Sequence, residues 1–305
     1  RVVDTGNGGI SHSEGQGYGL LLAVLADDRA TFEQIWTFTL NELLIREDGL
    51  AAWKWDPNAS PHITDINNAT DGDILIAWAL ALAAQKWNAP GYLDAATRMA
   101  RAIGAVAVRQ DGDRTVLLPG ASGFSGADRR EGPVLNLSYW IFEALPVLAT
   151  LAPGVDWTGV SRTGLALTVS ARFGSVQLPT DWIAVPATRA PVPAEGFAPV
   201  FGYNSLRIPL YLLGAGHTER SRLEVYFRAW TANGGRPAIV DVTSGKVLEV
   251  LGEPGYRMQT ALLACALEGT PIPDELRRFQ ATTYYASTLH LLAMAVVVRR
   301  YPQCL

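Results

Sequence analysis

Two kinds of apolar segment alternate along the chain. The first is apolar nearly all round and recurs at residues 18–26, 74–84, 135–151, 206–213, 259–267 and 286–298. A helix without a polar face must be surrounded by protein. The second kind lies at 31–46, 92–108, 157–173 and 217–232, with a weaker example at 274–280. It carries charges such as Glu33, Glu42, Arg98, Arg101, Glu219 and Glu224 on one side only. Such helices cover a core and face water. The alternation predicts an inner ring of helices wrapped by an outer ring, an all-α toroid of six inner and six outer members.

Strand signals are few. Residues 238–242 and 246–250 flank Thr243-Ser244-Gly245 and predict a small β-hairpin. Residues 114–118 suit one further short strand. Residues 186–199 carry prolines at 186, 191, 193 and 199 and read as loop. No linker divides the chain, so residues 1–305 are expected to form a single domain.

Composition narrows the function classes. The net charge of -4 argues against nucleic acid or an anionic membrane as partner. No apolar run is long and clean enough for a membrane span. The four His, at 12, 62, 217 and 290, lack ligand spacing, and no metal or cofactor is expected. Most of the nine Trp and ten Tyr are expected in the core, and a surplus also suits stacking against sugar rings. Cys265, in an apolar run, reads most simply as a buried free thiol, although pairing with Cys304 is conceivable. The chain opens on Arg1-Val2-Val3 without a signal peptide and reads as processed or trimmed.

The unusual polar residues fall at the starts of the inner segments. Glu14 precedes the first, Asp71 and Asp73 the second, and Asn136 opens the third. Tyr203 and Asn204 precede the fourth, Tyr256 and Arg257 the fifth, and Tyr284 the sixth. Inner helices of a toroid run the same way, so these ends are expected to share one rim, lined with acids and aromatics. Each acid has a plainer reading. Ser11-x-x-Glu14 and Thr70-x-x-Asp73 match the capping-box pattern, and an acid at a helix start suits the macrodipole. His12 is expected to be a surface or satisfied histidine. Trp53, Trp55 and the pair Asp181-Trp182 are loop-borne groups suited either to packing or to saccharide stacking. Two carboxylates across an aromatic cleft is the arrangement glycoside hydrolysis requires.

The segment Ala69-Thr70-Asp71-Gly72-Asp73-Ile74-Leu75-Ile76-Ala77-Trp78 and its continuation to Trp87 resembles the signature of glycoside hydrolase family 8. Ser13-Glu14-Gly15-Gln16-Gly17-Tyr18-Gly19 resembles the motif that carries that family's general acid. The resemblance spans nearly the whole chain and is strongest to bacterial endoglucanases encoded with cellulose synthases. It implies an (α/α)6 barrel, inverting hydrolysis of β-1,4-glucan, Glu14 as proton donor, and Asp71 as the residue contacting the distorted sugar. It also implies substrate contacts from Tyr203 and Arg207, a periplasmic or secreted location, and functional association with a cellulose synthase complex. Trp53, Trp55, Asp181, Trp182, Tyr256 and Tyr284 complete the expected substrate-binding set.

One position departs from the pattern. The family form Tyr-Asp-x-x-Arg reads here Tyr203-Asn204-Ser205-Leu206-Arg207, with an amide where many members keep their general base. An amide orients water but does not accept its proton. The residue is an engineered inactivation, the mark of a branch whose base lies elsewhere, or the sign of a glucan-binding protein without turnover. The coherent segment 201–213 favours the second, with Asp181, and after it Glu195, as substitute bases. Xylan or chitosan as substrate is the remaining alternative; an acidic cleft suits cationic chitosan.

Overall fold

The computed structural model describes all residues, 1–305. The chain packs into two compact units, each assembled from separate stretches. The first comprises Arg1–Asp128 with Glu143–Arg162, the second Arg129–Phe142 with Thr163–Leu305.

In the first unit, α1 (Ser13–Leu25) is followed by α2 (Arg29–Phe38), which ends in a single π-helical turn at Thr39–Leu43. Then come α3 (Thr70–Trp87), α4 (Pro90–Val106) and α5 (Leu145–Leu151); α6 (Trp157–Ser170) begins here and ends in the second unit. α1 and α3 are the segments without a polar face, and they are buried. Ile74, Leu75, Ile76, Ala77, Ala79 and Leu80 of α3 have no exposed surface. The two helices run parallel at close range. Gly17 sits against Leu75 and Ile76, and Gly72 against Ser13 and Glu14; a Cβ on Gly72 would collide with Ser13 Oγ and lie 2.7 Å from the Glu14 nitrogen. α2 and α4 are amphipathic, and α4 turns Ala95, Ala96, Met99, Ala100 and Ile103 inward. Strand Val108–Asp111 pairs antiparallel with Arg114–Leu117, so the strand expected near 114–118 has a partner.

The second unit holds α7 (Ile208–Gly214), α8 (Arg220–Ala232), α9 (Pro254–Glu268) and α10 (Tyr284–Arg300). α9 and α10 also run parallel: Gly255 abuts the Ala286 carbonyl, and Gln259 Nε2 donates to the Leu289 carbonyl at 2.9 Å. The expected hairpin is present as Ala238–Asp241 and Val247–Val250, and Val200–Phe201 extends it to three strands. A second small sheet joins Val134–Leu135, Ile183–Ala184 and Val192–Pro193.

Local expectations differ from the structure in four places. The third inner segment is not one helix from 135 to 151. Asn136 Oδ1 accepts from the Ser138 N–H at 3.1 Å and its hydroxyl at 2.7 Å, which turns the chain, and α5 starts only at Leu145 with Pro146 in its first turn. Residues 274–280 form turns, because only Leu276 among them is buried and there is no apolar face to hold a helix. Inner helices also start earlier than their apolar runs, so Glu14, Asp71, Tyr256 and Tyr284 lie within first turns. Finally, Cys265 is not a free thiol. It is disulfide-bonded to Cys304, tying α9 to the last turn of the chain, Pro302–Cys304.

Candidate active site

The first unit carries the acids of the two motifs. Neither capping box forms. The Ser11 hydroxyl donates to the Val2 carbonyl at 2.6 Å, and the cap of α1 is instead His12, whose Nδ1 accepts the Gly15 N–H at 3.0 Å. Thr70 Oγ1 donates to the Leu118 carbonyl at 2.8 Å, and the N-cap of α3 is Ala69, which makes no side-chain cap. Glu14 lies in the first turn of α1 and is partly open to solvent. Asp71 is buried, and its Oδ1 accepts the N–H of Gly72 at 2.8 Å.

His12 is satisfied, as expected, and half-buried. Nε2 lies 3.5 Å from Asp4 Oδ2. Burial pulls its pKa down, yet the hydrogen bond to Asp4 and the charges of Glu14, Asp4 and Asp71 outweigh this and hold it above the ordinary histidine value. Trp53 is half-buried and donates from Nε1 to Asp65 Oδ2 at 2.8 Å. Trp55 is taken up in packing: the Arg1 guanidinium lies 4.6 Å from its ring, the His62 ring 4.4 Å, and Nε1 donates to Glu42 Oε2.

The second unit brings together residues separated in sequence. Asp181 is buried; its Oδ1 accepts the backbone N–H groups of Gly202 and Ser205, each at 2.9 Å. Its Oδ2 accepts Nδ2 of Asn204 at 3.4 Å. The other end of that amide, Oδ1, accepts Arg207 Nη2 at 2.8 Å, so the cation fixes which way the amide points. Arg207 is itself buried and also donates to Ser138 Oγ at 2.8 Å, while that hydroxyl donates to Asn136 Oδ1. The result is a relay that diverges from Arg207, one arm donating through Ser138 to Asn136 and the other through Asn204 to Asp181. Position 202 must be glycine here, because a Cβ would collide with the Asp181 carboxylate. Glu195 takes no part; it is exposed on the 186–199 loop.

Aromatics border this group. Trp182 stacks on Phe197 with ring centroids 4.7 Å apart and meets the edge of Tyr139 at 6.3 Å. Tyr203 is 44% exposed and donates to Glu249 Oε2 at 3.0 Å, and burial together with Glu249 and Glu253 pushes its pKa up to about 12. Tyr285 joins Tyr203 and Tyr256: its hydroxyl donates to the Tyr203 carbonyl at 2.6 Å, and its ring lies 6.1 and 6.3 Å from theirs. Arg257 turns away to Glu275 at 2.9 Å. Ser138 and Tyr139 were not singled out from sequence. Their only signal was the Asn-x-Ser turn inside a stretch that otherwise read as helix.

Residues 1–298 match the model of glycosyl hydrolases family 8. The chain belongs to that family. A probable endoglucanase from Novacetimonas hansenii is 38% identical over 296 residues, 96% of this chain and 84% of its own. An endoglucanase from Cellulomonas uda is 36% identical, covering 93% and 76% of the two chains. Among solved structures, the endo-beta-1,4-glucanase CMCax from Acetobacter xylinum superposes with a TM-score of 0.87 at 36% identity, over 98% of this chain and 92% of that one. The fold class is accordingly the all-α (α/α)6 barrel, with its small β-hairpin. The chain is a glycoside hydrolase and groups with the family's endoglucanases. None of its helices is long and apolar enough to cross a membrane.

Proposed function

We propose that the chain is an inverting endo-β-1,4-glucanase in which Glu14 and Asp181 divide the proton transfers. Glu14, protonated, gives its proton to the glycosidic oxygen as the C–O bond breaks. Asp181 accepts a proton from the water whose oxygen attacks the anomeric carbon from the other side. Asp71 contacts the sugar at the cleavage point, and Trp53, Trp182 and Tyr203 offer stacking surfaces to the glucan. The observation that carries the reading is the relay ending on Asp181. Asn204 cannot serve as base, but with Arg207 on its oxygen it holds its Nδ2 toward a carboxylate that can. Oδ2 of Asp181 keeps acceptor capacity beyond that one long hydrogen bond, enough for a water. A role for Asn204 in orienting a base also favours turnover over mere glucan binding.

Glucan polymers are not taken up whole, and a structural disulfide forms and persists in oxidising surroundings. Both support a periplasmic or secreted enzyme, and the reading extends to glucan made by a cellulose synthase complex.

Reducing-end release from carboxymethyl-cellulose tests the donor. Glu14→Gln should lower kcat by about 10²–10⁴, and equal rates for variant and parent would refute the assignment. NMR of the first-formed product should show the α-anomer; a β-anomer would rule out inversion.

A further inference from the structure

Asp73 has no part in the chemistry just proposed, yet it is fully buried one residue beyond the Gly72–Glu14 contact. Its Oδ1 accepts the Ala51 N–H, and its Oδ2 accepts Asn68 Nδ2, both at 2.9 Å. Asn68 Oδ1 accepts the Ala121 N–H at 2.7 Å, so that amide can only turn its nitrogen toward Asp73. Two residues beyond Ala51, the Trp53 carbonyl accepts the N–H of Ser13 at 3.0 Å, and the Trp53 N–H donates to the Asn67 carbonyl at 2.9 Å. The start of α1 is therefore held on two accounts by groups next to one carboxylate. Trp53 binds Ser13 from the loop that Asp73 clamps, and Gly72 packs directly on Ser13 and Glu14. Burial pushes the Asp73 pKa up to about 7, so the charged form is held there at a cost in stability. A costly buried charge that organises a neighbouring acid and aromatic is more readily understood through function than through folding.

We infer that Asp73 is a positioning residue, which clamps the 51–68 loop onto α3 and thereby sets both the seat of Glu14 and the Trp53 ring. The inference rests on the reading of Glu14 as proton donor.

The test exploits the polarity of the clamp. In Asp73→Asn, an amide cannot accept both the Ala51 and Asn68 donors, and flipping Asn68 would only move the conflict to Ala121. A displacement of about 1 Å at a catalytic group costs roughly a hundredfold in rate, so kcat on carboxymethyl-cellulose should fall about ten- to a hundredfold. The double variant Asn68→Asp/Asp73→Asn restores every hydrogen bond. The carboxylate at 68 accepts from Ala121 and from the amide at 73, whose oxygen accepts from Ala51. It should recover kcat to within about threefold of the parent. An aryl cellotrioside with a dinitrophenolate leaving group departs without a proton, so the single variant's kcat defect should shrink on it. Parent-like kcat in D73N would overturn the inference. So would a double variant that melts like the parent yet stays as slow as D73N. A Glu14→Gln loss of equal size on both substrates would instead refute the donor, while the exchange of acid and amide still judges the clamp.

Discussion

Placing aspartate at position 204 asks which residue is the base. In Asn204→Asp, a carboxylate oxygen replaces the Nδ2 that now lies 3.4 Å from Asp181 Oδ2, while the other oxygen keeps Arg207 Nη2 at 2.8 Å. With an effective dielectric constant of about 20, two like charges at that separation repel by about 5 kcal/mol, and the Arg207 attraction to the new carboxylate is about 6 kcal/mol. The new carboxylate therefore ionises, and the repulsion reappears as a raised upper pKa of the Asp181–204 pair. The full repulsion corresponds to between three and four pH units by the conversion of about 1.36 kcal/mol per unit. Arg207 and solvent reduce it, and a rise of at least about one unit should survive. The assay is kcat/KM on a soluble cello-oligosaccharide across pH 4–9. If Asp181 is the base, the acid limb moves to higher pH by about one unit or more, and plateau kcat changes less than about threefold. A tenfold gain in kcat with an unmoved acid limb would show that the base belongs at 204 and would dismiss Asp181.

Three further outcomes are expected. Replacing Cys265 and Cys304 with serine opens a loop of 39 residues, for which chain entropy predicts a loss of about 4 kcal/mol, to be read from urea melts; no change would mean the disulfide contributes nothing. Gly72→Ala drives a methyl group into Ser13 Oγ and toward the Glu14 nitrogen, so α1 must shift against α3; kcat should fall at least tenfold while the far-UV spectrum stays helical, and parent-like kcat would show that the close approach is dispensable. Asp73 titrates above its unfolded value, so its stabilising contribution is fully present below about pH 4 and is lost as pH rises through about 7; because asparagine does not titrate, melting of D73N relative to the parent should improve across that window, by at most about 4 kcal/mol, and a flat difference would contradict the raised pKa.

The chain by itself determined what depends on neighbours in sequence. Apolar segments without a polar face had to be buried, and α1, α3, α9 and α10 are. The hairpin at 238–250 follows from alternation around a short glycine turn. Two contiguous motifs, around Glu14 and Asp71, were enough to point to the family. Tertiary structure decided what depends on distant partners. Ser11 and Thr70 match a capping pattern, but Val2 and Leu118 offer their hydroxyls carbonyl acceptors, and so both boxes stay unmade. Asn136 and Ser138 look like part of an apolar helix until Arg207, 69 residues away in sequence, requires the hydroxyl as an acceptor. The disulfide joins residues 39 apart, a pairing no spacing could specify. Asn204 is the sharpest case. In sequence it is a missing base; in the structure it is an amide fixed by one cation and turned toward the buried carboxylate of Asp181, 23 residues earlier. Side-chain hydrogen bonds are short-range and directional, so their partners become known only once the backbone has brought them within about 3 Å of each other.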